Sequence, residues 1–219
     1  MLYLAGGGDE KDSELLDKKF AQAVNAKRLI YIPIAMDGVS PTYDECSAWI
    51  SSIFTPLGIK HIEMRDSLSH DFTSKLNAND MAIYIGGGNT YKLLDTCRKT
   101  GFDVALKQFV KCGGLVYGGS AGAILLGKDI NTCSAFDTND VGIVDTAGLG
   151  IIGKYSIWCH YEKEHDSIIQ KLGYPIIAIP EQSGIIFDGF HISIIGHDEI
   201  TVFEKGWINR LKPNETISV

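Results

Sequence analysis

A serine flanked by small residues, Gly118-Gly119-Ser120-Ala121-Gly122, follows the apolar run Gly114-Leu115-Val116-Tyr117 and precedes Ala123-Ile124-Leu125-Leu126. This is a G-x-S-x-G pattern between a predicted strand and a predicted helix. In that setting a sharp turn lifts the serine hydroxyl clear of the backbone, and only small neighbours leave room for the turn. The helix that follows would aim its unpaired N–H groups at the same spot and stabilise negative charge developing there. The alternative is a glycine-rich turn in which Ser120 only caps the helix. A nucleophile further requires a base, a group that orients the base, and donors for an oxyanion.

The candidates for the base are His61, His70, His160, His165, His191 and His197. His160 stands in Ile157-Trp158-Cys159-His160-Tyr161, a strand-like segment that breaks into the polar Glu162-Lys163-Glu164. It is therefore expected at a strand end, facing the catalytic side, and is the preferred base. His165 is expected on the charged helix that follows, in solvent. Two carboxylates could orient the imidazole. Asp140 lies in the polar loop Asp137-Thr138-Asn139-Asp140, and Glu181 follows Ile176 to Pro180 at the carboxyl end of a predicted buried strand. Chain order does not choose between them; a rigid strand end favours Glu181. The bland reading makes Asp140 a turn residue and Glu181 a strand-end charge.

Gly86-Gly87-Gly88-Asn89 ends one predicted strand and opens a helix. Its N–H groups could join the Ala121 amide in a two-donor oxyanion site, or cradle a phosphate. Gly6-Gly7-Gly8-Asp9 invites the same idea. Neither is G-x-G-x-x-G, and no G-x-x-x-x-G-K-[ST] follows, so nucleotide binding finds little support.

Elements able to position these groups recur along the chain. Strand-like runs at Leu2 to Ala5, Arg28 to Ile34, Lys60 to Met64 and Met81 to Ile85 alternate with helical stretches. The helices are predicted near Ser13 to Ala26, Thr42 to Leu57, Thr90 to Lys99 and Phe102 to Val110. Such alternation implies right-handed crossovers and a three-layer α/β fold, a mainly parallel sheet with helices on both faces. Functional groups then gather at the carboxyl ends of the strands. Ile176 to Ile179, Gly184 to Phe187, Ile192 to Ile195 and Ile200 to Phe203 leave no room for helices between them. They are expected as antiparallel additions to the same sheet, partly covering one edge.

The 219 residues suit a single domain, 1–219. A net charge of −7 offers no basic surface for nucleic acid or anionic membrane, and no apolar run is long enough to span a bilayer. Cys46, Cys97, Cys112, Cys133 and Cys159 are odd in number and lack C-x-x-C spacing. A disulfide framework or zinc site is therefore not expected, no cofactor is needed, and a reducing cytoplasm fits. A free sheet edge could support a homodimer.

Tyr84-Ile85-Gly86-Gly87-Gly88-Asn89-Thr90 upstream of Gly118-Gly119-Ser120-Ala121-Gly122-Ala123 resembles the peptidase E family of serine peptidases, which includes aspartyl dipeptidase and, more distantly, cyanophycinase. Asn139-Asp140, Ile143-Val144-Asp145, Cys159-His160-Tyr161 and Ile179-Pro180-Glu181 match as well. The resemblance implies a fold similar to class I glutamine amidotransferases. It implies Ser120 as nucleophile, His160 as general base, and an oxyanion hole from the Gly88 and Ala121 amides. Asp140 and Glu181 each match a carboxylate position of the wider family, so both stay open. Aspartyl dipeptidases carry an arginine-containing segment after the histidine that reads the substrate's acidic side chain. Here Glu162-Lys163-Glu164-His165-Asp166 is acidic and has no arginine, so selectivity for N-terminal aspartate is not expected. The activity expected is hydrolysis of small peptide substrates. The alternatives are a non-catalytic ligand-sensing domain, or an amidohydrolase or esterase using the same triad.

Overall fold

The structure is a computed structural model that describes residues 1–25, 27–36, 38 and 41–219. In chain order its strands are β1 (Leu2–Ala5), β2 (Arg28–Ile32), β3 (Ile62–Met64), β4 (Met81–Ile85), β5 (Leu115–Gly119), β6 (Ser156–Trp158), β7 (Ile176–Ala178), β8 (Ser183–Phe187), β9 (His191–Gly196), β10 (Ile200–Glu204), β11 (Trp207–Leu211) and β12 (Thr216–Ser218). The helices are α1 (Glu14–Val24), α2 (Tyr43–Phe54), α3 (His70–Thr73), α4 (Thr90–Thr100), α5 (Phe102–Lys111), α6 (Ala121–Leu126) and α7 (Asp166–Leu172). Ala26, the last residue of the first predicted helix, lies outside the described residues. The second predicted strand stops at Ile32, because Pro33 has no N–H to continue a ladder and Ile34–Met36 turn into a 3-10 helix.

Eight strands form the main sheet in the order β12-β9-β8-β1-β5-β4-β2-β3. β1, β5, β4, β2 and β3 run parallel, and β8, β9 and β12 extend the sheet antiparallel beyond β1. Period-two alternation sends successive side chains to opposite layers. Ile30, Ile32, Ile83, Ile85 and Val116 meet Leu93 and Leu94 of α4, Leu106 of α5 and Leu125 of α6. Leu29, Tyr31, Ala82, Tyr84 and Tyr117 meet Phe20 of α1 and Ile50 and Phe54 of α2. Each fully buried Leu, Ile or Phe contributes about 1.5–3 kcal/mol.

Helix ends follow the residues that satisfy them. Thr42 and Glu45 form a reciprocal capping box at the start of α2. Asn89 caps α4 through a 2.9 Å bond from the Lys92 amide.

The last third departs from the sequence expectation. Only β8, β9 and β12 join the main sheet. Ile176–Ala178 and Ile200–Glu204 belong instead to a separate four-stranded sheet, ordered β11-β10-β7-β6. There β6 and β7 are parallel, joined by a crossover that carries α7, while β10 and β11 pair antiparallel. Close spacing along the chain marked these segments as strands but carried no information about which sheet each enters. All five cysteines are free, and only Cys112 is exposed. No helix among the described residues is long and apolar enough to cross a membrane.

Candidate active site

Ser120 occupies the turn between β5 and α6 with φ +47° and ψ −108°. A non-glycine residue at positive φ costs on the order of 1–3 kcal/mol, and the surroundings must enforce it. Here Ser120 N donates to Ala5 O of β1 at 3.3 Å, and Ser120 O accepts from the Ala123 and Ile124 amides. Small residues let α6 press onto the strand ends; a Cβ on Gly122 would collide with Ile85 O. The Ala121 amide, at the start of the helix, donates to nothing among the described residues.

His160 lies just past β6, also at positive φ (+50°). Its amide donates to Gly6 O at 2.7 Å, the next amide, Tyr161 N, donates to Ile179 O, and Ile179 N donates to Trp158 O. The histidine is thereby tied to the ends of β1 and β7 together. Gly7, the residue after Gly6, faces the imidazole at φ +115°, and a Cβ there would collide with His160 Cε1. The glycine run near the N-terminus, open to a phosphate role in the sequence, here clears space for the histidine ring.

The side chains meet as a chain of hydrogen bonds. Ser120 Oγ lies 2.9 Å from His160 Nε2, and His160 Nδ1 lies 2.7 Å from Glu181 Oε1. Glu181 follows Pro180 at the exit of β7, and its side chain and that of His160 are 51% and 40% exposed. With both imidazole nitrogens engaged, Asp140 has no position on the ring. Its carboxylate accepts instead from Thr138 Oγ1 at 3.0 Å in an exposed loop.

Gly88 stands opposite Ser120 at φ +121°, where any Cβ would collide with Ala35 O. Its amide, like that of Ala121, has no acceptor among the described residues. Gly87 packs beside the serine; a Cβ there would lie 3.4 Å from Ser120 Cβ.

Two cavities flank the Ser120–His160 pair. One, of about 250 Å³, is walled by Met36, Trp49, Tyr84 and Tyr117. Its floor is aromatic, since the Tyr84 and Tyr117 rings stack at 4.3 Å. The other, of about 270 Å³, is lined by Thr90, Ile124, Cys133, Phe136 and Asp137. Among the described residues no lysine or arginine lines either cavity, so a phosphate held at the glycine turns would meet no countercharge from them. A larger cavity, about 690 Å³, lies against α7, β10 and β11 and contains no nucleophile–base pair.

His165 differs from the expected solvated residue. It closes a 3-10 turn rather than lying on α7, and its ring packs 5.5 Å from both Phe136 and Trp158. Cys159 lies under the Ser120 turn, where burial pushes its thiol far above the usual range and makes it a poor nucleophile. Asp137 lines the second cavity and had been read only as part of a polar loop. Nothing in the sequence singles it out, because its bond from the Thr90 amide joins residues 47 apart.

Residues 1–195 match the peptidase family S51, and the chain belongs to that family. Peptidase E of Escherichia coli and of Shigella boydii serotype 18 is 28% identical over 203 residues, covering 84% of this chain and 83% of theirs. Among solved structures, a peptidase from an acI-B1 Actinobacterium superposes with a TM-score of 0.76 at 21% identity, covering 100% of this chain and 96% of that one. A peptidase E-type protein from Listeria monocytogenes EGD-e gives a TM-score of 0.66 at 25% identity, covering 96% and 98%. The protein is thus a peptidase built on a mixed α/β fold with a mostly parallel central sheet.

Proposed function

We propose that this peptidase is a serine hydrolase that cleaves short peptides through an acyl-enzyme on Ser120. The observation that carries the reading is the continuous chain Ser120 Oγ, His160 Nε2, His160 Nδ1, Glu181 Oε1, at 2.9 and 2.7 Å.

With Nδ1 protonated and donating to Glu181, Nε2 bears the lone pair that accepts the Ser120 proton. Oγ then attacks the scissile carbonyl carbon. The C=O electron pair moves to oxygen, and the oxyanion is received by the amides of Gly88 and Ala121, which have no other acceptor among the described residues. Collapse breaks the C–N bond, and the imidazolium returns its proton to the departing amine. Water, deprotonated by the same nitrogen, attacks the ester; its collapse releases the acid and regenerates Ser120. Glu181 keeps the imidazole in one tautomer and stabilises its cationic form. The positive φ of Ser120, at the turn between β5 and α6, supports reading that turn as a nucleophile elbow.

A fluorophosphonate probe, which reacts only with an activated serine, tests the assignment. Wild-type protein is expected to be labelled at Ser120. Ser120→Ala is expected to lose labelling and to lower kcat on small peptides by roughly four to six orders of magnitude, with an unchanged circular dichroism spectrum. Peptide hydrolysis that survives in Ser120→Ala would remove the serine from the mechanism.

A further inference from the structure

Among the described residues, the aromatic cavity beside the Ser120–His160 pair is lined by no Asp, Glu, Lys or Arg, and the other by one. That residue is Asp137, which shares its cavity with Thr90, Cys133 and Phe136. Its Oδ2 accepts from Thr90 N at the amino end of α4, 2.8 Å away. This bond holds the carboxylate against the first turn of the 11-residue α4. A carboxylate has about four acceptor positions, and one is used here. Among the described residues no lysine, arginine or histidine forms an ion pair with Asp137. Beside it, Thr90 is 1% exposed, and its Oγ1 is buried with no hydrogen-bond partner. The cavity therefore offers a fixed anion and an unused hydroxyl, both able to accept N–H donors, within reach of the reacting serine.

We propose that Asp137, with Thr90, is a specificity-determining pair that receives an ammonium group of the substrate. The assignment rests on the serine-peptidase reading of this site and adds the substrate class to it. An ammonium brings three N–H donors and a positive charge, complementing both acceptors. A carboxylate in the same cavity would meet the Asp137 anion and, among the described residues, no lysine or arginine. The ammonium has two sources in a peptide, the free α-amine of the first residue and a lysine side chain, and the shared chemistry is what the cavity recognises.

Binding to the Ser120→Ala protein reads the cavity without turnover. Isothermal titration calorimetry would compare Ala-Ala, Lys-Ala, acetyl-Ala-Ala and acetyl-Lys-Ala, with Asp137→Asn added in the same background. Asparagine keeps an oxygen for the Thr90 amide, so the start of α4 stays capped. At least one ammonium-bearing peptide is expected to bind tighter than acetyl-Ala-Ala by roughly tenfold to a hundredfold, the scale of a hydrogen bond to a charged group. Asp137→Asn is expected to erase that difference. Tight binding that follows the free α-amine, through Ala-Ala and Lys-Ala, assigns the amino terminus. Tight binding that follows lysine, through Lys-Ala and acetyl-Lys-Ala, assigns the side chain. Equal binding of all four peptides, or a dissociation constant that Asp137→Asn moves by less than twofold, overturns the proposal. Fluorophosphonate labelling of the Ser120-containing protein reports separately on the serine, so failure of the mechanism and failure of this assignment give different results.

Discussion

His160 holds a left-handed backbone, φ +50°, while its two ring nitrogens contact groups from separate segments. Strain of on the order of 1–3 kcal/mol survives only where neighbours over-determine it, and Gly6, Ile179, Ser120 and Glu181 supply that constraint. If Glu181 orients the imidazole, Glu181→Gln should lower kcat by roughly 10²–10⁴, whereas Asp140→Asn should change it by less than about threefold. Steady-state kinetics on one dipeptide substrate decides, and the opposite ranking would return Asp140 to the triad. Ser120 and His160 were legible in the sequence because each stands where an apolar run breaks into small or polar residues. The sequence favoured Glu181 over Asp140 only on the rigidity of a strand end, since the contact itself depends on where the exit of β7 lies relative to β6. Asp137 was hidden by a composition that reads as an ordinary turn.

Around the site, α4 and the segment 136–140 form one unit. The Asn89 side chain uses both ends: Oδ1 caps the helix by accepting from Lys92 N, and Nδ2 donates to Thr138 O at 2.8 Å. Arg98, a little over two turns further along, donates to Asp145 O and Ala147 O and holds the far end of the same loop. Asn89→Ala should remove the cap and release the loop together, at a cost of about 1–2 kcal/mol. At about 2–4 °C per kcal/mol for a chain of this size, differential scanning calorimetry would resolve it. Hydrogen exchange should rise at residues 136–140 as well as in the first turn of α4; a rise confined to the helix would mean that the loop is held by other contacts. The alternation of strands and helices was readable as far as Ser120, because each buried parallel strand is a continuous apolar run bounded by turn residues. It failed to assign the later strands to two sheets, because a short strand looks the same whichever partner it finds.

At the scale of the whole molecule, the charged side chain that is buried among the described residues is Asp17, on α1 beside Tyr117. Its Oδ2 accepts from Ser13 Oγ at 2.9 Å, and its Oδ1 has no partner. Burial pushes its carboxyl up to about 6, from near 3.8 in the unfolded chain. Between those pH values the folded protein retains a proton that the unfolded chain has released, so stability falls as pH rises through the window. Above pH 6 the full loss, about 3 kcal/mol, is reached. Asp17→Asn should therefore melt several degrees above wild type at pH 8 and show little advantage at pH 4, followed by calorimetry across that range. A constant difference at both pH values would assign the effect to packing rather than to titration. The same overall arrangement also bears on synthesis at the ribosome. β1 pairs with residues 115–119 on one side and 183–187 on the other, so this apolar strand emerges well before either of its partners is translated. Its long-range pairings make assembly a late and comparatively slow event, and a nascent chain stalled before residue 183 would leave the β8 side of β1 open to chaperones or to aggregation.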